Sequence, residues 1–488
     1  MPRPLLYEVN ARCWLRRLTE QARRPVQLGN IPESEITRWQ ELGVTHLWLM
    51  GAWSTSPNSR KAYLNQPGIA EQLRRTLPQW TPGDVVASPY AISSYTVPEE
   101  FGGENGLADF RATLHRRNIR LILDFVPNHV GLDHPWLVQH PERFVQSAEP
   151  RAGSFAVEAD AATRWVAHGK DPYFPPWMDT AQLDLRIEET QQALVRDLQE
   201  VARRCDGARC DMAMLVLGDV FESTWQHLPP LRPRASGEFW SRAIHAVRRD
   251  DFMFIAEAYW DLEPRLIELG FDCAYDKKVT DFLMAGRWQE LESHLARRGS
   301  PQLRHGIHFL ENHDEPRVAD RLSLDRHALA AFVITALPGL CLIHEGQLHG
   351  ARVHAPVHLA RTPDEPADPN VAELYRDLFA TWKQAGIGDA QGTLLTTTPM
   401  IIVHWPAAPS RHTLAIINGS DSVQETTLQL PFQFGGRTPM RVRSLRRQPS
   451  SCAAQVSVAH GELAVRLGER SFDLVELLLA AESTRLKR

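Results

Sequence analysis

Arg209 and Asp211 stand two residues apart in Cys205-Asp-Gly-Ala-Arg-Cys-Asp-Met-Ala213, an apolar run that reads as a short buried strand. Alternate residues of a strand point to the same side, so both charges project into one space. A buried Arg and Asp are costly unless they pair with each other or with something bound. The stretch alone therefore reads equally as a structural ion pair and as part of a site. Three further apolar runs end in Asp124-Phe-Val-Pro-Asn128-His129, Ile255-Ala-Glu257-Ala and Phe309-Leu-Glu-Asn312-His313-Asp314. Gathered on one rim, the carboxylates of Asp211, Glu257 and Asp314 would repel one another unless a proton or cation relieved them, a poor arrangement for stability alone. It is suited to acid/base and nucleophilic work on a glycosidic bond.

The residues that would position these groups follow a repeated order. Leu194, Leu198, Val201 and Cys205 recur at spacings of three and four, which predicts a helix before the Arg209 strand, with Asp206-Gly207 as a tight turn. Ile36, Trp39 and Leu42 share a second helical face, closed by Gly43 as a left-handed C′ residue. Leu107, Phe110 and Leu114 mark a third. Strands are expected near 44–50, 84–86, 120–124, 208–213, 252–257, 271–275, 305–311 and 338–343. Strands alternating with helices imply parallel pairing through crossovers. Eight such strands close most simply as an α/β fold of the (β/α)8 TIM-barrel type, whose chemistry sits at the C-terminal strand ends.

Residues 51–83 read as an elaborate loop. Residues 131–182, rich in Pro, Trp and His and directly after the third strand, are expected to form a small loop domain with a functional role. Within them Asp171-Pro-Tyr-Phe-Pro-Pro-Trp177 offers rings that either stack on a sugar or make the loop's own core. Beyond the helix carrying Leu374, Leu378 and Trp382, alternation replaces helical spacing in Met400–His404, Thr413–Ile417, Val456–Val458 and Leu463–Val465, with His460-Gly461 as a hairpin turn. The expected division is a catalytic barrel over 1–389, with 131–182 inserted, and an antiparallel β-sandwich over 390–488.

The chain has 488 residues, 43% hydrophobic and 23% charged, with a formal net charge of −5. Its basic residues form only short pairs such as Arg116-Arg117 and Arg446-Arg447, so no nucleic-acid partner is expected. No apolar run approaches the roughly 18 residues of a membrane span, and the N-terminus lacks the apolar core of a signal peptide. The six cysteines show no paired spacing, and Cys210, Cys273 and Cys341 fall in expected buried strands. That usage points to a reducing, cytoplasmic setting. The oligomeric state is not determined by these features.

In their order and spacing, the four strand-end segments resemble the four sequence signatures of the α-amylase family, glycoside hydrolase family 13, and the C-terminal β-domain matches the family as well. The resemblance implies that Asp211 is the nucleophile, Glu257 the general acid/base and Asp314 the carboxylate that stabilises the transition state. It implies that Arg209 holds Asp211 ionised, that His129 and His313 hydrogen-bond sugar hydroxyls, and that Tyr90 stacks on the bound sugar. Asp124 is expected to brace the rim. The implied activity is that of a retaining enzyme cleaving α-glucosidic bonds of malto-oligosaccharides or related disaccharides, by hydrolysis or glucosyl transfer, through a covalent glycosyl-enzyme intermediate. A phosphorylase, or a glucosyl or maltosyl transferase or synthase, could use the same barrel; a catalytically inactive carbohydrate-binding or scaffold relative is the third reading, disfavoured because all three carboxylates are present.

The sequence also departs from the family pattern. Met214-Leu215 occupy positions where many α-amylases carry Lys-His, which argues for short substrates over polymeric starch. Tyr90-Ala-Ile-Ser-Ser-Tyr95 has Ser94 where many relatives carry Asp and resembles the corresponding stretch of sucrose-using glucosyltransferases, and His344-Glu-Gly-Gln347 is not the commonest form. Asn128 matches a calcium ligand of some members, but residues 131–182 offer no convincing acidic partner for a cation that takes six or more oxygens. No metal ligand set is assigned and no cofactor is expected, with calcium left open.

Overall fold

A computed structural model describes residues 4–159, 162–388, 390–430, 441–446 and 453–478. Eight parallel strands close into a barrel: β1 (Leu5–Asn10), β2 (His46–Met50), β3 (Arg120–Phe125), β4 (Gly207–Cys210), β5 (Met253–Ala256), β6 (Cys273–Tyr275), β7 (Gly306–His308) and β8 (Leu340–His344). Each strand pairs with its neighbours in chain order, and β8 closes on β1 with Leu5 opposite Cys341 and Glu8 opposite His344. Strands covered on both faces are continuous apolar runs rather than alternating ones. His-Leu-Trp-Leu-Met in β2 and Leu-Cys-Leu-Ile-His in β8 are buried throughout. The helices expected around Ile36, Leu107, Leu194 and Leu374 form as Glu33–Leu42, Gly103–His115, Glu188–Arg204 and Pro369–Ala385, and Gly43 ends the first of them at φ 79°.

The barrel has the expected eight strands, with one exchange. Leu5–Asn10 supplies β1, whereas residues 84–86 lie outside the barrel. Pro82–Asp84 is a 3-10 turn, and Val85 makes a single antiparallel bridge to Leu359 on the loop after β8. Pro82 and Gly83 leave too short a run for a strand, and Asp84 pairs with Arg361 instead. The preceding residues are not a plain loop. They hold the helices Pro57–Leu64 and Ile69–Thr76, the first capped by the Ser56 hydroxyl accepting from the Ser59 N–H at 2.9 Å. Tyr63, Ile69, Leu73, Leu77, Val85 and Leu359 form a separate small core there, so this segment and the loop after β8 make one cap beside the barrel mouth.

Asp206-Gly207 is likewise not a tight turn. Gly207 begins β4, opposite Ile122 and Met253, and a Cβ there would come within 2.6 Å of both the Ile122 Cδ1 and the Met253 carbonyl oxygen. The glycine lets three strands approach, and the Asp206 carboxylate turns back to accept from the Leu121 N–H and from Arg111.

Within 131–182 the described residues form the strands Gln146–Ser147, Ser154–Ala159 and Ala162–Ala167 in one antiparallel sheet, while Thr180–Gln182 pairs with His129–Gly131. After the barrel come β9 (Thr393–Thr396), β10 (Ile401–Ala408), β11 (Arg411–Asn418), β12 (Gln424–Gln429), β13 (Arg441–Ser444), β14 (Gln455–Ala459), β15 (Glu462–Leu467) and β16 (Ser471–Leu478). They make a five-stranded sheet, β9-β10-β11-β16-β13, and a three-stranded one, β12-β15-β14. His460 and Gly461, at φ 52° and 80°, turn the β14–β15 hairpin as expected. Ile402, Leu414, Ile416 and Leu477 of the larger sheet pack with Leu463, Val465 and Leu467 of the smaller. The alternate residues Ile401, Val403, Ala415 and Ile417 join the core of the barrel. The helix Leu324–Ala336, covered on both sides, is accordingly buried almost all round.

Cys205, Cys210, Cys273 and Cys341 are buried; Cys452 and Arg447 lie outside the described residues. Among the described residues no helix is long and apolar enough to cross a membrane.

Candidate active site

Arg209 is the hub of the rim. It is 1% exposed, and its Nη1 donates to Asp211 Oδ1 at 2.7 Å while its Nη2 lies 2.9 Å from Glu257 Oε2. Its Nε donates to the Tyr275 hydroxyl at 3.3 Å, and the rings of Trp48, Tyr90 and Tyr275 stand 5.0, 5.2 and 5.7 Å from the guanidinium carbon. A planar cation walled by aromatic faces keeps its charge without water and in one orientation. It brings together two carboxylates that would otherwise repel.

The backbone completes this arrangement. Asp211 follows β4 and its N–H donates to Phe125 O at 2.8 Å, while the Glu257 N–H, just after β5, donates to Cys210 O at 3.1 Å. Met212 adopts a left-handed conformation (φ 44°), which is strained for a side chain with a Cβ. Its N–H thereby reaches Glu257 Oε2 at 2.6 Å, and the Tyr259 hydroxyl donates to Oε1 at 2.9 Å. Both oxygens of Glu257 are thus held. Asp211 differs: Oδ1 is held by Arg209, but Oδ2 is buried with no hydrogen-bond partner among the described residues. Burial pushes the Asp211 carboxyl up to about 6 even though Arg209 opposes the rise, and burial also raises Glu257.

Asp314 sits after β7 in a turn shaped by Asn312, whose carboxamide oxygen accepts from the N–H groups of Asp314 and Glu315, both at 3.0 Å. Its side chain is half exposed and lies 3.0 Å from His313 Nε2. Burial works to raise Asp314, but the cationic His313 overrides it and holds the carboxyl down to about 2. The Tyr90 hydroxyl also meets His313 Nε2, at 2.8 Å. His129 stands apart from this cluster: its ring packs on Trp177 at 5.2 Å, and burial lowers it to about 4, so it is neutral near pH 7. Of the residues singled out in the sequence, Arg209, Asp211, Glu257, Tyr90, His313 and Asp314 form one connected set, with His129 beside it. Asp124 accepts from Trp48 Nε1 at 2.9 Å and the Gly51 N–H at 2.8 Å, and braces the rim.

Other participants carried little sequence signal. Glu8 in the C-terminal half of β1 contacts His313 Nδ1 at 2.6 Å, and an acid within the apolar run Leu5–Val9 was the available clue. Tyr259 and Tyr275 read as ordinary aromatic residues after apolar strands. In the long loop, Tyr173 and Phe174 are 69% and 67% exposed, so they are not the loop's own core. The Asp171 carboxylate accepts from both of their N–H groups, and Tyr173 packs edge-on to Trp260 at 4.9 Å.

Asn128 is occupied by a neutral partner. Gln182 Nε2 donates to the Asn128 backbone oxygen at 2.8 Å and to Oδ1 at 3.0 Å. An amide pair beside His129 does not fit calcium, which needs several oxygens, carboxylates prominent among them. Among the described residues no cluster of three or more His, Cys, Asp or Glu is placed to hold a metal. Met214 and Leu215 are buried in the core. In His344-Glu-Gly-Gln347, Glu345 pairs with Arg17 and Arg38, and Gln347 donates to Tyr375.

Residues 35–226 match the model of the α-amylase catalytic domain. Over that stretch the chain is similar to the α-amylase family. Alpha-amylase 3 of Dictyoglomus thermophilum is 22% identical to it over 296 residues, covering 55% of this chain, and the chain spans 55% of that protein's length. A noncanonic maltogenic α-amylase from Thermotoga neapolitana shares the fold with a TM-score of 0.68 at 20% identity, over 98% of this chain and 100% of that one. The acarbose-complexed α-amylase from Geobacillus thermoleovorans does so with a TM-score of 0.64 at 18% identity, over 99% of each. In this chain's barrel the rim assembled around Arg209 lies at the C-terminal strand ends, where barrel enzymes carry their chemistry.

Proposed function

We propose that the chain is a retaining enzyme of carbohydrate metabolism that cleaves α-glucosidic bonds of malto-oligosaccharides or related disaccharides. The bare, buried Oδ2 of Asp211 carries this reading. A buried anionic oxygen without a donor is unfavourable for stability and suits a nucleophile aimed at an electrophilic carbon. Asp211 would attack the anomeric carbon while Glu257, whose hold on a proton burial strengthens, gives its proton to the departing oxygen; Glu257 would then take a proton from the incoming hydroxyl. Asp314, ionised at the exposed lip, would stabilise the oxocarbenium-like transition state. Tyr90 would offer its face to the sugar, and the neutral His129 can hydrogen-bond a hydroxyl.

Water, a sugar hydroxyl or phosphate as acceptor distinguishes hydrolase, transferase and phosphorylase on this one site. The catalytic unit is assigned to 1–389 with 131–182 inserted, the β-sandwich to 390–488, and the buried thiols support a cytoplasmic setting. The test is proton NMR of the first product formed from an α-glucoside. An initial α-anomer, or a transfer product of α configuration, is expected; an initial β-anomer would refute the roles given to Asp211 and Glu257.

A further inference from the structure

Glu8 is wholly buried in the C-terminal half of β1, and its Oε1 lies 2.6 Å from His313 Nδ1. Its Oε2 has no hydrogen-bond partner among the described residues, so this carboxylate is directed to His313 alone. On its other side the His313 ring presents Nε2 to Asp314 Oδ2 at 3.0 Å and to the Tyr90 hydroxyl at 2.8 Å, with its plane edge-on to Trp48. A neutral imidazole has one N–H and could donate to only one of the two carboxylates, whereas an imidazolium donates to both.

From this geometry we infer that Glu8 is a positioning residue that keeps His313 an imidazolium, and that this fixed cation orients and ionises Asp314. The inference rests on the reading of Asp314 as the charge-stabilising group. Burial among Trp48 and Tyr90 opposes a charge on His313, but Asp314 and Glu8 outweigh it and raise the ring well above its ordinary range. The other groups that act on this neighbourhood are mixed: Asp124 is a further buried acid, Arg209 and His354 contribute in the cationic sense, and burial with Arg317 and His313 holds His344 well down, toward the neutral ring. Among the described residues Glu8 is therefore the one acid bonded to the ring from outside the His313–Asp314 turn. With it in place, five carboxyl groups at the rim (Glu8, Asp124, Asp211, Glu257, Asp314) face two fixed cations, Arg209 and His313.

The decisive variant is Glu8→Gln, which keeps the shape and a hydrogen-bond acceptor for Nδ1 but removes the charge. Two readouts are taken on the full chain: the pH profile of kcat and KM, and NMR of histidine-labelled protein, with the His313 ring assigned by its loss in His313→Gln. In the parent, His313 is expected to remain an imidazolium at about pH 8. In Glu8→Gln it should be neutral there, kcat should fall by about tenfold or more with KM little changed, and the alkaline limb should move down by about one pH unit. A neutral His313 in the parent overturns the inference, even if the variant proves unstable. So does an unaltered pH profile in a folded Glu8→Gln. If the parent turns over no α-glucoside, the proposed function falls, while the His313 resonances still decide the role of Glu8.

Discussion

The two oxygens of Asp211 differ: one is paired with Arg209, the other has no hydrogen-bond partner among the described residues. Asp211→Asn keeps the shape and can still accept from Arg209, but it cannot form the glycosyl ester. Turnover is expected to fall by about 10⁴-fold or more, as when one member of a catalytic group is removed. Glu257→Gln should lose roughly 10²–10⁴-fold on ordinary glycosides, yet keep much of its rate on an α-glucosyl fluoride, whose leaving group needs no proton. Equal losses on both substrates would count against Glu257 as the proton donor. The same burial predicts a pH effect. Burial lifts the Asp211 carboxyl from its ordinary 3.8 to about 6, so the folded state holds that proton more tightly. Ionising it removes stability as pH rises between those values, a cost on the order of 3 kcal/mol. Asp211→Asn should therefore melt no lower than the parent at about pH 7.5, and the advantage should vanish at about pH 4, read by calorimetry. Activity of the parent should rise through about pH 6.

Among the elements, β4 carries the tightest constraint. Gly207 leaves no room for a methyl group between β3 and β5, and the same strand aims Arg209 two residues later. Gly207→Ala is expected to destabilise the fold by about 1–3 kcal/mol, the usual cost of overpacking, and to lower activity further by shifting Arg209. A denaturation midpoint equal to the parent's would contradict that account. The ribbon formed by His129–Gly131 and Thr180–Gln182 closes the neighbouring loop through the Asn128–Gln182 amide pair. Because that pair is neutral and self-satisfied, EDTA should leave both activity and melting temperature unchanged. Loss of both, restored by calcium, would show that the amide pair opens to bind the ion.

Across the molecule, the five-stranded sheet joins the barrel rather than hanging from it. Phe472 stacks on Phe332 at 4.5 Å, Trp405 donates to Ala336 O at 3.1 Å, and Ile401, Val403 and Ile417 are fully buried on that side. Exposing each of those aliphatic side chains would cost about 1.5–3 kcal/mol. A chain ended at residue 389 should accumulate as insoluble protein, or unfold without a cooperative transition. A soluble, fully active fragment would show instead that the barrel is self-sufficient.

What the sequence determined by itself was whatever local chemistry dictates. Amphipathic spacing marked the helices at Ile36, Leu107, Leu194 and Leu374, Gly43 marked a helix end, His460-Gly461 marked a hairpin, and repeated strand–helix order implied a barrel of eight. Charged residues ending apolar runs marked the rim, because an ionised group there is expensive unless it has a purpose. Three local readings failed where the decisive partner was remote. Leu5–Asn10 was given no strand although β2 and β8 flank it, residues 84–86 looked like a strand until Leu359 claimed Val85, and Gly207 looked like a turn although its constraint comes from β3 and β5. The site divides in the same way. The sequence offered Arg209, Asp211, Glu257, His313 and Asp314 as candidates, but only the closed barrel sets one guanidinium against two carboxylates and leaves one Asp211 oxygen bare. It also brings Glu8 305 residues along the chain to His313. Contacts of that separation leave no periodicity in the sequence; they exist because β1 must lie beside β8, and that closure is a property of the tertiary fold.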